Sequence, residues 1–163
     1  MKSIILFRHG QACWSEDINR DHDKPLSEIG IEESKKMGLY LLKNDLIPDL
    51  VISSSAIRTK TTAELAIKYG QWNCPLIIEK DIYGGRPIFL CDLIHKLDDQ
   101  HNLICLVGHE PNFSTFISKT TNTPFKPFYT ASMAKINFNI KKWHEIDFGI
   151  GRLDWSVNPR ENI

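Results

Sequence analysis

The apolar run Ile4-Ile5-Leu6-Phe7, followed at once by Arg8-His9-Gly10, constrains this chain more than any other stretch. The run predicts a short buried strand, which would carry a guanidinium and an imidazole at its carboxyl end. In open α/β sheets, ligands bind at that end of the strands. Gly10 would let the chain turn sharply and let a ligand approach the backbone. Three residues alone favour a solvated loop, so a site around His9 needs partners from elsewhere in the chain.

Length and composition limit the classes of protein to consider. With 163 residues, 42% hydrophobic and 25% charged, we expect one globular domain over residues 1–163. The formal net charge is zero, which gives no indication of a nucleic-acid or membrane partner, so any anion site must be local. The four cysteines have no paired spacing, and no signal peptide or bilayer-spanning run is visible. We therefore expect a cytoplasmic monomer with reduced thiols.

Strand and helix patterns alternate along most of the chain. Ser27 is expected to cap a helix that runs to about Asn44, and Gly70 is expected at the end of a later helix. The remaining predicted elements are strands at 49–53, 75–79 and 103–107, helices at 56–69 and 112–119, and a helix whose apolar face runs from Phe89 to Leu97. Two alternating stretches, 131–140 and 143–148, predict a hairpin at the sheet edge, and 151–155 is expected to cap the fold.

A second histidine follows a second apolar strand. Leu103-Ile104-Cys105-Leu106-Val107 is the most apolar strand in the chain, and Gly108-His109-Glu110 follows it directly. Pro111 suits the first position of the next helix, which places His109 and Glu110 at a helix mouth. Two histidines at the ends of two strands are less expected by chance than one.

Arg58 is the third candidate for this site. It falls in the first turn of the helix that follows Ser53-Ser54-Ser55. A cation there opposes the helix dipole unless an anion is bound nearby. The alternative is a surface arginine with a small penalty, but serines at a strand end followed by a first-turn arginine favour an anion site.

The polar segment Asp21-His22-Asp23 could suggest a metal site. Three adjacent loop residues cannot all face one ion, and no other histidine or cysteine has ligand spacing to them. A solvated loop is therefore the favoured interpretation, and we predict no metal and no cofactor.

Four motifs in order resemble the histidine phosphatase superfamily, which has the phosphoglycerate mutase-like fold. They are Arg8-His9-Gly10, the 23–30 segment DKPLSEIG, the 53–59 segment SSSAIRT and Gly108-His109-Glu110. The 130–134 segment TASMA and the short length are similar to the SixA-type phosphohistidine phosphatases. The resemblance implies an α/β fold: a three-layer α/β/α sandwich with a mostly parallel sheet and an antiparallel edge.

The resemblance also implies roles. His9 would be the nucleophile that carries a transient phosphoryl group, and Arg8, Arg58 and His109 would bind the phosphoryl oxygens. An unprotonated imidazole can attack phosphorus near neutral pH, and the charge of the transition state requires several fixed donors. Guanidinium groups offer forked, permanently charged donors for this purpose.

The general acid is the point of departure from the family pattern. Members of the family often place a glutamate shortly before a Tyr-Gly turn, whereas Lys80 and Asp81 precede Ile82-Tyr83-Gly84 here. Glu110 could be the acid, as in another branch, or could simply favour the helix dipole; the acid is Glu110, Asp81 or absent.

An open site without a strong acid suits phosphohistidine on a protein, because an alkoxide needs a proton to leave. The alternatives are a small-molecule phosphomonoesterase and, from another class, a non-catalytic module that binds phosphate or a phosphopeptide. The expected partner is thus a phosphorylated protein or a small phosphate substrate.

Overall fold

A computed structural model describes residues 1–163 and contains six strands and four α-helices. The strands are β1 (Lys2–Arg8), β2 (Leu50–Ser53), β3 (Leu76–Ile78), β4 (Leu103–Gly108), β5 (Met133–Phe138) and β6 (Gly151–Val157). The helices are α1 (Glu28–Lys43), α2 (Ile57–Gly70), α3 (Pro87–His95) and α4 (Asn112–Thr121). Short 3-10 turns occupy 21–23, 80–82 and 143–145.

All six strands form one sheet in the order β3-β2-β4-β1-β5-β6. The first four are parallel, and β5 and β6 complete the sheet as an antiparallel edge. Within this sheet β1 and β4 are direct neighbours, and their register places Arg8 beside Gly108. The two predicted histidine motifs therefore lie next to each other at the carboxyl ends of the two central strands.

The helices cover both faces of the sheet. On one face, Met37 and Leu41 of α1 and Ala63 and Ala66 of α2 pack on alternate residues of β1, β2 and β4. On the other face, the apolar sides of α3 and α4 pack with a larger cluster that includes the buried Trp143. This arrangement confirms the predicted three-layer α/β/α sandwich with an antiparallel edge.

The predicted edge hairpin is half wrong. Met133–Phe138 is its first strand, but the second strand is Gly151–Val157, not 143–148. Trp143 begins a 3-10 turn and is fully buried, with Nε1 donating to the His101 carbonyl at 3.0 Å. Trp143 and Ile146 are both buried, and their three-residue spacing belongs to a turn rather than to a strand. The observed edge strand also alternates, with Leu153, Trp155 and Val157 separated by polar residues, and Trp155 and Val157 pack against the core.

Of the two predicted helix caps, one is confirmed and the other lies one residue further along the chain. Ser27 caps α1 as expected, with its hydroxyl accepting from the Gly30 amide at 3.1 Å. Gly70, in contrast, is the last helical residue, and Gln71 adopts the left-handed conformation. A Cβ on Gly70 would come within 2.4 Å of the Gly38 carbonyl, so this glycine serves the close packing of α1 on α2.

Gly10 has a similar role behind the site. A Cβ there would come within 2.7 Å of the Gly30 carbonyl oxygen. Close approach of α1 therefore explains this glycine, rather than a left-handed turn.

All four cysteines are unpaired, and Cys91 and Cys105 are buried. None of the helices combines the length and apolarity that a bilayer crossing requires.

Candidate active site

His9 lies directly after β1, and its ring is held in one orientation. The side chain is buried, with 8% of the residue exposed. Its Nδ1 lies 2.7 Å from the Gly10 carbonyl oxygen. Because a carbonyl can only accept, Nδ1 carries the proton and donates. In the neutral ring, Nε2 therefore keeps its lone pair and points away from the backbone that anchors the ring.

Arg58 reaches this lone pair from the first turn of α2. Its Nε–H donates to Nε2 of His9 at 3.3 Å, which agrees with an unprotonated Nε2. The backbone on this side is tied together by Thr62, whose hydroxyl accepts from the Gly10 amide at 2.9 Å and donates to the Arg58 carbonyl at 2.7 Å. The loop after β1 and the start of α2 thus form one hydrogen-bonded unit.

His109 approaches from β4. Its ring centroid lies 5.2 Å from that of His9. Its Nε2 is 2.8 Å from the hydroxyl oxygen of Ser54, so the serine that follows β2 positions the second imidazole. Ala56 is the cap residue of α2 and has no side-chain cap bond. The hydroxyl groups of the two preceding serines contact histidines, Ser54 with His109 and Ser55 with His22, and the Ser54 hydroxyl also accepts from the Ala56 amide at 3.3 Å.

Arg8 is the last residue of β1. Its Nη1 donates to the Phe128 carbonyl at 2.9 Å, which fixes the side chain against the 122–130 segment. Its buried Nε has no partner within the chain. A buried guanidinium N–H without a partner is a donor available to an anion.

The electrostatics keep both histidines neutral. Burial, followed by the positive charges of Arg58 and Arg8, lowers the pKa of His9 to about 4, against a smaller opposing effect of its hydrogen bond to Gly10. Burial and the neighbouring His9 and Arg58 lower the pKa of His109 to about 3. Burial also lowers the pKa of Arg8. The site therefore combines two neutral imidazoles with two guanidinium groups.

Asp21 was not predicted as a site residue, yet it binds Arg58. Its carbonyl accepts from Nη1 at 2.7 Å, and its Oδ2 accepts from Nη2 at 2.9 Å. Tyr83 donates its hydroxyl to the same Oδ2 at 2.7 Å, and its ring stands edge-on to His109 at 5.3 Å. The loop at 21–23 is exposed at Asp21 and Asp23, as predicted, but His22 is half-buried and lies 2.9 Å from the Ser55 hydroxyl.

Neither of the candidate acids has a free position beside His9. Both carboxylate oxygens of Glu110 accept from Ser114, one from its amide at 2.8 Å and one from its hydroxyl. These contacts are those of a residue that caps the start of α4. Asp81 is exposed in the turn before Tyr83, and its backbone amide donates a hydrogen bond to the Glu79 carboxylate. The contacts favour the helix-capping role for Glu110, and its role as an acid stays a prediction.

One surface cavity lies beside these residues rather than over them. It has a volume of about 410 Å³ and lies between α4, the 123–128 segment and β6. Two residues that line this cavity also contact the site: the Phe128 carbonyl accepts from Arg8, and the Ser114 hydroxyl donates to Glu110. Arg8, His9, Arg58 and His109 are not part of its lining.

Comparisons with known proteins show what this chain resembles in sequence and in fold. The model of the histidine phosphatase superfamily (branch 1) matches residues 4–83, which include His9 and Arg58. An uncharacterised protein of Mycobacterium tuberculosis is 30% identical over 107 residues, covering 66% of this chain and 65% of that protein. A 2,3-bisphosphoglycerate-dependent phosphoglycerate mutase of Corynebacterium efficiens is 39% identical over 66 residues, covering 39% of this chain and 26% of the mutase.

The fold comparison covers the whole chain. The structure of the protein histidine phosphatase SixA complexed with tungstate matches with a TM-score of 0.83 and 18% identity, over 96% of this chain and 97% of that chain. Residues 4–83 of this chain therefore match the histidine phosphatase superfamily, and the chain has the SixA-like form of the fold. The match spans about two thirds of the mycobacterial relative and about a quarter of the mutase.

Proposed function

We propose that this protein is a metal-independent phosphatase that uses His9 as its nucleophile and dephosphorylates phosphohistidine on a protein. The observation that carries this proposal is the state of the His9 ring. Its Nδ1–H donates to Gly10, so Nε2 is unprotonated, and this nitrogen accepts from the Nε–H of Arg58. An imidazole so oriented is a nucleophile that needs no separate base.

In the first step, Nε2 of His9 attacks phosphorus. The N–P bond forms while the bond from phosphorus to the leaving group breaks, and the electron pair of that bond goes to the leaving group. In the second step, a water oxygen attacks the phosphoryl group on His9. This step breaks the N–P bond, releases inorganic phosphate and returns the neutral ring.

Arg8, Arg58 and His109 would bind the phosphoryl oxygens in both steps. The transition state spreads negative charge over three equatorial oxygens, and fixed donors stabilise it without reorganising. The two guanidinium groups supply permanent charge. A bound dianion would also raise the pKa of His109, which would strengthen its donation to an oxygen.

The leaving group is inferred from the state of the carboxylates. Both oxygens of Glu110 are engaged by Ser114, and the Tyr83 and Lys24 contacts hold the pKa of Asp21 well below its usual range. Asp21 is thus not poised to give a proton at neutral pH, and Glu110 is held by Ser114. A phosphohistidine needs no such acid, because its own protonated ring leaves as neutral imidazole. A small phosphate ester with an alkoxide leaving group would need one.

Trapping the phosphoenzyme tests this proposal. Wild type incubated with a ³²P-phosphohistidine protein should take up label that is lost in acid and kept in alkali, as a phosphoramidate behaves. His9→Ala should take up no label and lose turnover while remaining folded. The matched control is His144→Ala, because His144 is exposed and lies outside the site.

Turnover by His9→Ala within tenfold of wild type, or about 1.4 kcal/mol of barrier, would refute the assignment of the nucleophile. If simple phosphate esters are hydrolysed faster than the phosphohistidine protein, the protein is a small-molecule phosphomonoesterase. If phosphate binds without any turnover, it is a binding module.

A further inference from the structure

Asp21 joins three separate segments at the rim of the site. Its Oδ2 accepts from Arg58 of α2 and from the Tyr83 hydroxyl, and its Oδ1 lies 3.0 Å from the Lys24 ammonium. The next residue, His22, contacts Ser55 and stacks edge-on against Tyr83 at 5.1 Å. The 21–23 turn is therefore fastened to the beginning of α2 at two adjacent positions.

The hydrogen bonds of Arg58 show what this fastening does. A guanidinium has five N–H donors in a rigid plane. One Nη1–H and one Nη2–H bind Asp21, and the Nε–H binds Nε2 of His9. Two N–H donors remain for a phosphoryl oxygen. Because the group is planar, holding both Nη atoms fixes the direction of Nε.

We propose that Asp21 is a positioning residue that holds Arg58 with its Nε–H directed at the nucleophilic nitrogen of His9. This inference deepens the proposed function and rests on it. The hydroxyl of Tyr83 joins the same carboxylate, so the ring that borders His109 is held by the same group. Asp21 acts through Arg58 and does not contact the phosphoryl group itself.

Two observations distinguish this arrangement from an ordinary surface ion pair. The side chain of Arg58 is only 9% exposed, although that of Asp21 is 50% exposed, so one partner is held in a buried position, whereas exposed pairs leave both partners free to move. The backbone carbonyl and the carboxylate of Asp21 also bind different nitrogens of the guanidinium, which fixes its rotation as well as its position. The Tyr83 hydrogen bond lowers the pKa of Asp21, so the carboxylate stays charged over the working pH range.

A double-mutant cycle on the phosphohistidine substrate tests the proposal. A misplacement of about 1 Å in catalytic geometry can cost about 100-fold in rate, so Asp21→Ala should lower kcat/KM by about 10- to 100-fold. The same substitution in an Arg58→Ala background should change kcat/KM by less than about twofold, because the two residues act as one unit. Asp21→Glu should restore part of the loss. Asp23→Asn, in the same turn but without contact to Arg58, is the matched control and should match wild type.

A spectroscopic measurement separates this inference from the proposed function. In ¹⁵N spectra, the Nε2 resonance of His9 should shift in Asp21→Ala as it does in Arg58→Ala, and should not move in Asp23→Asn. If wild type has no phosphatase activity, the proposed function fails, and this spectrum still tests the positioning. Additive effects in the cycle, or an unmoved Nε2 resonance in Asp21→Ala, would overturn the inference.

Discussion

Acidification below pH 6.5 should lower the free energy of unfolding of this protein more steeply than that of a protein whose histidines are all exposed. The reason is that His9 and His109 are buried as neutral rings. The folded-state pKa is about 4 for His9 and about 3 for His109, against 6.5 for an unperturbed histidine. Above pH 6.5 neither the folded nor the unfolded chain binds a proton at these rings. Below it, the unfolded chain takes up protons that the folded chain refuses, so the free energy of unfolding falls.

The size of the effect follows from the two pKa values of His9. Each histidine contributes about 1.4 kcal/mol per pH unit within its window. For His9 the window runs from 6.5 down to about 4, which amounts to roughly 3 kcal/mol in all. His109 acts in the same direction, but the two rings are 5.2 Å apart and influence each other, so their contributions do not simply add.

Urea unfolding at pH 7, 6 and 5 measures this effect. Wild type should lose stability with a steeper pH slope than His9→Ala, whatever the stability of the variant at pH 7. Phosphate or vanadate should reduce the slope, because a bound anion raises both folded-state pKa values. Equal slopes in wild type and His9→Ala, or a His9 ring that titrates above pH 6 in NMR spectra, would refute the reasoning.

Three further predictions concern the anion donors, Glu110 and metals. Arg58→Ala should weaken vanadate binding and slow turnover together, and Arg58→Lys should restore only part of both, because an ammonium cannot reproduce a planar fork; calorimetry with unchanged affinity in both variants would return Arg58 to a surface role. Glu110→Gln should reduce the free energy of unfolding by up to about 1 kcal/mol and slow all substrates alike, as expected for a helix cap. If a plot of log kcat/KM against leaving-group pKa is steeper for this variant than for wild type, Glu110 is an acid after all. Turnover should survive exhaustive chelation, whereas activity that disappears with chelator and returns with magnesium or zinc would reveal a metal requirement.

The placement of the two histidines at the carboxyl ends of neighbouring strands could be predicted, because the signals for each strand and its end are local. An apolar run followed by Arg8-His9 and another followed by Gly108-His109 each define a strand and its end. Parallel pairing of those strands then places Arg8 beside Gly108. Arg58 could be predicted for a similar reason, since a first-turn cation after serines is unfavourable without an anion.

The contacts of Asp21 and Tyr83 could not be predicted in this way. They are 62 residues apart, and neither lies in a strand or an α-helix. Only the fold brings the turn before Lys24 against the turn that follows β3. The one local signal was the acidic turn itself, and an acidic turn is equally typical of solvated loops. The edge strand Gly151–Val157 does carry a local signal, because Leu153, Trp155 and Val157 alternate with polar residues. The alternating 143–148 stretch comes first along the chain, however, and competes with it for the second strand of the hairpin.

The neutrality of the two imidazoles also explains how a chain with no net charge can present an anion site. Beside the rings, the charges of Arg8 and Arg58 face the carboxylates of Glu110 and Asp21, so the empty site is close to balanced. Protonated imidazoles would be repelled by the nearby guanidinium groups of Arg8 and Arg58, and burial keeps both imidazoles unprotonated. Affinity for a phosphoryl group then depends on the direction of the N–H donors rather than on excess charge. It follows that adding salt should weaken anion binding only modestly, whereas displacing one guanidinium should weaken it strongly.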